Sequence, residues 1–527
     1  MAPGIGFKNI LTRGIAPLVG ASSLALMASP ALADWKKYES PRFELYSSGS
    51  DREARDMLIE LEKFDYVLRL FMGQDVNAVP YRKLPIYLVS ESGLGTIWPG
   101  ARDRIAGFYT SSDEDIFAVA TRGENNHTLK HEYAHHFMMA DLSYPYPGWF
   151  VEGFAEYYAP TEFRSRDTRV GIPNSNRAMA LGYLSWMSMS ELLSNRPMAK
   201  ARNSDSYYPL AWLLTHWFMG DKTRREQLAN YLRDIGSGTD SVTAFQNATG
   251  LTPTDLRRTL RRYMNGRIPY VGLQTEYPVP PIEVTALPDS ADDLLLLGQR
   301  LKSGSTEENR QPTLEEIRRK AARYPDDTLA LLILAHAELH NARDPEKAAE
   351  VLDRLLAIDP NHVEALQYMA RAKMDLVDKA MEADDDAAAG RYRQEAQAAL
   401  RSAYTADDAH YATFLLMAEN RRGEPSYPSE NDLEILSLAY ALAPQLGEAR
   451  FYYADALLRV DRNAEAIAVI EPLVNNPHGE NPAAKALLLR AKGLTEADVA
   501  AEEEALRRKA EEEAEEGDPQ TPPPATD

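Results

Sequence analysis

Five consecutive residues, His131-Glu132-Tyr133-Ala134-His135, carry the pattern with the clearest chemical content. On a helix, two histidines four apart project from one face and can reach a single ion. Neutral imidazoles suit Zn²⁺. Glu132, on the adjoining edge, can take a proton from water polarised by such an ion and ready it to attack a carbonyl. The chain contains no cysteine, so thiolate ligands, disulfides and cysteine nucleophiles are excluded, and any metal must use His, Asp or Glu.

A second helical run, Trp149 to Tyr158, brings carboxylates at Glu152 and Glu156. Pro145, Pro147 and Gly148 between the runs permit a tight return. Glu152 can then supply a third ligand and leave a fourth position open, as catalytic zinc sites do. Glu156 lies one turn on, where it can hydrogen-bond a ligand histidine, and it is the substitute ligand should Glu152 not reach. His127, one turn before His131, and His136, about 100° around the helix from His135, read as bystanders.

These residues need elements to hold them. Phe43 to Tyr46, Leu84 to Val89, Ile105 to Tyr109 and Asp115 to Val119 read as strands, the last two as a pair ahead of the motif. Apolar residues at Leu58, Leu61, Phe64, Val67 and Leu68 predict a long helix from Asp51 to Met72. Helices are also expected at 126–141, 149–159, 208–219 and 223–235, with Phe137, Met138 and Met139 anchoring the apolar side of the first. The prolines at 269, 278, 280, 281 and 288 mark residues 268–290 as a linker.

Beyond the linker the chain is Ala- and Leu-rich helix, with prolines at Pro325, Pro360, Pro444 and Pro477, spaced 35, 84 and 33 apart. A tetratricopeptide repeat has a period of about 34 residues. Its small or apolar positions fall on Leu332, Ala348 and Leu352, and again on Ala454, Ala466 and Ile470. The wide gap would hold two repeats plus an acidic insertion around Asp384, Asp385 and Asp386. Residues 291–495 are therefore expected to form an all-α tetratricopeptide-type solenoid, and 496–527 a charged, Pro-rich disordered tail.

HEYAHHF followed by WFVEGFAEYY resembles the gluzincin branch of zinc peptidases, which includes thermolysin and the aminopeptidase-N family, and most closely the peptidase-MA-like bacterial proteins. A later helix with a Tyr-x-x-Ser-Trp-like pattern belongs to that resemblance. Here the run Tyr208 to Trp217 occupies its place, with Ala211 where a small polar residue is usual and Tyr208 and Trp212 intact. The likeness extends over about residues 34–265. It implies an α+β zincin-like, thermolysin-like catalytic domain at 34–267. His131, His135 and Glu152 would be its zinc ligands and Glu132 its general base. Tyr208, or Tyr207 instead, would donate to a developing oxyanion. In gluzincins an edge strand ahead of the zinc helix holds the substrate backbone, but the Ile105 to Tyr109 segment reads more simply as a core strand.

The 527 residues, 44% hydrophobic, suffice for two or three domains, and a net charge of −21 argues against a nucleic-acid surface. Residues 1–33 carry Lys8 and Arg13, an apolar stretch and an Ala31-Leu32-Ala33 end, the form of a cleaved signal peptide rather than a membrane span. The expectation is an exported, periplasmic or secreted metallopeptidase without stable membrane insertion, acting on a protein or peptide and meeting a protein partner through its repeats. A non-catalytic protein-binding scaffold is the alternative, and zinc chemistry alone would equally admit another amide or ester substrate.

Overall fold

The computed structural model describes residues 34–100, 106–123, 126–141, 146–194, 201–475 and 481–495, with isolated positions as far as 508. The leader expected at 1–33, Ile105, Pro145, Pro477 and most of the tail lie outside these.

Nine strands are described: β1 (Lys36–Glu39), β2 (Phe43–Ser47), β3 (Leu84–Val89), β4 (Gly107–Ser111), β5 (Ile116–Thr121), β6 (Glu162–Phe163), β7 (Thr168–Val170), β8 (Val271–Leu273) and β9 (Glu283–Ala286). The first ten helices are α1 (Asp51–Met72), α2 (Glu91–Ile97), α3 (His127–Asp141), α4 (Gly148–Tyr158), α5 (Ser175–Tyr183), α6 (Met189–Leu193), α7 (Tyr207–Met219), α8 (Lys222–Gly236), α9 (Ser241–Thr249) and α10 (Pro253–Met264). Eleven more follow: α11 (Ala291–Lys302), α12 (Glu307–Ala321), α13 (Thr328–His336), α14 (Pro345–Ile358), α15 (Val363–Glu382), α16 (Asp386–Ala406), α17 (Tyr411–Arg421), α18 (Glu430–Leu442), α19 (Gly447–Arg459), α20 (Asn463–Val474) and α21 (Pro482–Lys492).

The main sheet runs β4-β5-β3-β2-β1-β9, and β6-β7-β8 form a smaller one. β2, β3 and β5 are parallel neighbours, while β4 pairs antiparallel with β5. Successive side chains of a strand face opposite ways, so the fully buried β3 and β5 feed two cores. Ile86, Leu88, Ala118 and Ala120 join α1 and α3 in one; Tyr87, Val89, Phe117 and Val119 meet Ala291 and Leu295 of α11 in the other. The first helix after the Pro-rich stretch thus covers the second face of the sheet. That stretch itself contributes β8 and β9, one to each sheet. Its prolines break helical periodicity, yet an edge strand needs only one paired side.

α1 begins at Ser50, whose side chain accepts from the Glu53 amide, and ends at Gly73 in the left-handed region at φ 69°. Its Leu58, Leu61, Phe64, Val67 and Leu68 are all buried, as their spacing predicts.

In the helical half, Pro325 precedes α13, Pro360 follows α14 and Pro444 precedes α19, so the prolines punctuate helix pairs. Leu332, Ala348, Leu352, Ala454, Ala466 and Ile470 are all buried between helices. The wide gap holds two pairs, α15/α16 and α17/α18. The acidic residues are the tip of the first, elongated hairpin: Asp384 takes φ 56° and the Asp385 side chain caps α16. Among the described residues, no helix is long and apolar enough to cross a membrane.

Candidate metal centre

α3 is fixed from several sides. The Tyr133 phenol donates to Asp65 on α1 at 2.6 Å, and that carboxylate also meets Arg42 and Arg69, at 2.7 and 2.8 Å. Lys130 Nζ donates to the Thr161 carbonyl at 2.8 Å and to Glu60 at 3.1 Å. Phe137 and Met138 are buried, whereas Met139, expected beside them, is partly exposed and lines a cavity. His136 anchors rather than ligates. It shares a hydrogen bond with Tyr109 at 3.1 Å and stacks on Tyr133, and burial followed by the nearby Arg69 and Arg82 pushes its pKa down to about 4.

The opposite face carries His131 and His135, with Nε2 atoms 3.1 Å apart. α4 brings Glu152 up to them: its Oε2 lies 3.7 Å from His131 Nε2 and 3.5 Å from His135 Nε2. A tetrahedral zinc bonded to each donor would hold such atoms about 3.3 Å apart, so the three donors fit that ion. The electrostatics fit too. Burial works against a charged His135, yet Glu152, Glu132 and Glu156 outweigh it and raise its pKa, the mark of a pocket that favours positive charge. Glu152 is only 1% exposed, a place where a carboxylate requires a cation close by.

α4 reaches this position by packing against α7 at a glycine. A Cβ on Gly153 would lie 2.1 Å from Thr215 Oγ1 and 2.4 Å from the Ala211 carbonyl oxygen, so the two helices touch backbone to side chain. Ala211, the departure noted in the resemblance, is fully buried at this crossing.

Glu156 sits 3.7 Å from His131 Nδ1, too far for a hydrogen bond. Arg177 on α5 holds it instead, through Nε at 3.0 Å, with Asn174 Nδ2 at 3.3 Å. Arg177 also lies over the Tyr208 ring at 5.3 Å, linking two expected site residues. Nothing in the sequence pattern marked this arginine, because a single cation on an amphipathic helix reads as surface.

Tyr208 faces a cavity of about 500 Å³ together with His131, Glu132, His135 and Glu152. Burial, then the Glu152 charge, raises its phenol pKa above the ordinary range, so it remains a proton donor. Tyr207 lies in the apolar core, edge-on to the Tyr208 ring.

β4, read from sequence as a core strand, is instead the edge of the main sheet, and Tyr109 and Ser111 on it line the same cavity. Local composition could not reveal this, because edge or centre is decided by strand order. The helical half completes the lining with Gln445, Glu448, Arg450, Leu473 and Asn475. Gln445 Oε1 and Asn475 Nδ2 are buried there without a hydrogen-bond partner. No pattern in the chain pointed to them, since they lie more than 300 residues from His131.

No protein-family model matches this chain. No curated protein matches it either. Among solved structures, a thermophilic TPR protein from Thermus thermophilus aligns with 21% identity and a TM-score of 0.31, over 39% of this chain and 97% of that one.

Proposed function

We propose that the protein is a zinc-dependent hydrolase of peptide bonds with a gluzincin-like catalytic centre. The observation that carries this reading is the convergence of three donors at tetrahedral spacing on a cavity that also holds Glu132 and Tyr208. Zinc held by His131, His135 and Glu152 would supply a Lewis acid that polarises a carbonyl and acidifies water. Glu132 takes the proton released when water attacks and returns it to the leaving amine. Tyr208, a neutral phenol, donates to the oxygen that gains charge. Arg177 positions both Glu156 and the Tyr208 ring. The edge strand β4 lines the cavity and could add main-chain groups to an extended peptide, which supports a peptide over a small ester as substrate.

A second reading, a protein-binding scaffold, is favoured by the stacked helix pairs from α11 to α21. The two readings part on metal dependence. Stripping metal with a chelator should abolish peptide cleavage and zinc should restore it; a protein that cleaves no member of a broad peptide library, with zinc bound, would be the scaffold.

A further inference from the structure

A second pair of histidines, His336 and His340, repeats the spacing of the first, in the string His336-Ala337-Glu338-Leu339-His340. Their rings lie 4.8 Å apart at 85°, against 4.7 Å and 85° for His131 and His135. His336 ends α13, and His340 lies in the π-helical turn Ala337–Ala342 that continues it, a feature that concentrates at functional sites. A carboxylate again faces the pair. Glu114, in the turn between β4 and β5, places Oε2 3.3 Å from His336 Nε2 and Oε1 3.2 Å from His340 Nε2. The ligand atoms of all three residues fall within 4.8 Å of one another.

Proton accounting shows what these contacts lack. The Tyr368 phenol donates to Glu114 Oε2 at 3.3 Å and also touches His336 Nδ1 at 3.2 Å. With the phenol proton on Glu114, whose ionised carboxylate only accepts, His336 Nδ1–H is the donor to the phenol oxygen. In that tautomer His336 Nε2 carries a lone pair, not a proton, 3.3 Å from a Glu114 oxygen. His340 Nε2 is buried without a hydrogen-bond partner, although a carboxylate oxygen lies 3.2 Å away. The Tyr368 contact orients His336 as outer partners orient metal-binding histidines. Neighbouring cations already have anions of their own: Lys302 meets Asp115 and Glu364, and Arg371 meets Glu419.

We propose that Glu114, His336 and His340 bind a second divalent transition metal, zinc by the donor set, which fastens the helical half to the β4–β5 turn. The ligands come from both sides of that contact, and β4 continues into the cavity of the first site. This assignment does not depend on the peptidase reading.

The test is metal content of the full-length, tag-free protein after loading with zinc sulfate and dialysis. Two zinc ions per chain are expected in the unaltered protein, falling to one in Glu114→Gln and in His340→Ala with peptide cleavage retained. The double variant His131→Ala/His135→Ala should keep one zinc and lose it when His340→Ala is added. Cobalt(II) bound to that double variant should show visible d–d absorption that disappears with His340→Ala. If the first site binds no metal, the unaltered protein should hold one zinc that His340→Ala removes, and the second site stands. Zinc content unchanged by both Glu114→Gln and His340→Ala, or no zinc in the first-site double variant, overturns it.

Discussion

The Tyr133 phenol donates to Asp65 at 2.6 Å, tying the helix that bears His131 and His135 to the longest helix beside the sheet. Tyr133 occupies one of the two variable positions inside the histidine pattern, so the same turn carries the ligands and the bolt that sets their height. Tyr133→Phe keeps the ring packing but removes a hydrogen bond to a buried charge, worth about 2 kcal/mol. Urea unfolding should register a loss of that order, with the Arg42 and Arg69 contacts still holding Asp65.

Gly153 is the point at which α4 rests on α7. Gly153→Ala must push Thr215 and the Ala211 backbone away, an overpacking cost of about 1–3 kcal/mol. The displacement falls on the helix carrying Glu152. Zinc affinity, measured by competition with a chromogenic chelator, should drop by about tenfold or more, whereas Gly182→Ala on α5, exposed and with open space around it, should leave zinc affinity unchanged and stability equal or slightly higher.

Gln445 and Asn475 bring an unpartnered acceptor and donor to the cavity from the helical half. Replacing a buried, unsatisfied polar group with an apolar one of similar shape costs little or stabilises. Gln445→Met and Asn475→Leu should therefore unfold at the same or higher urea concentration. Peptide cleavage should nevertheless weaken, each variant losing about tenfold in kcat/KM if one substrate hydrogen bond of about 1.4 kcal/mol is removed. Unchanged cleavage would mean that these amides do not meet the substrate.

His410, half-buried at the N-cap of α17, gives the stability a pH dependence. Burial, then the neighbouring Arg82 charge, lowers its pKa from 6.5 to about 4. As pH falls through 6.5 the unfolded chain takes up the proton while the folded chain does not, so stability is full above that pH and declines toward pH 4. The loss contributed by this residue should be on the order of 3 kcal/mol. His410→Asn keeps an acceptor for Gln367 and should flatten that part of the profile in chemical denaturation.

Much of this architecture was legible in the chain. The helix from Asp51 to Met72 has the expected ends, because Ser50 and Gly73 cap a continuous apolar stripe. His131, His135 and Glu152 converge because helical spacing fixes the first two and the short return fixes the third. What escaped was set by tertiary arrangement. The edge position of β4 follows from strand order, Arg177 reaches Glu156 only because α5 and α4 both pack on α7, and the lining from Gln445 to Asn475 depends on how the helical half meets the sheet. The second histidine pair did leave a spacing signal, but its carboxylate, Glu114, stands far away in sequence.

The most direct measurement is hydrolysis of a broad peptide library by the zinc-loaded protein and by Glu132→Gln. That exchange removes the proton acceptor and leaves His131, His135 and Glu152 untouched, so zinc binding is separated from chemistry. A Glu132 base predicts the same zinc content in both proteins and a kcat at least a hundredfold lower in the variant, in line with the ~10²–10⁴-fold contribution of a positioned acid–base group. Equal cleavage by the two proteins, or none by the unaltered protein with zinc in place, would contradict the hydrolase reading.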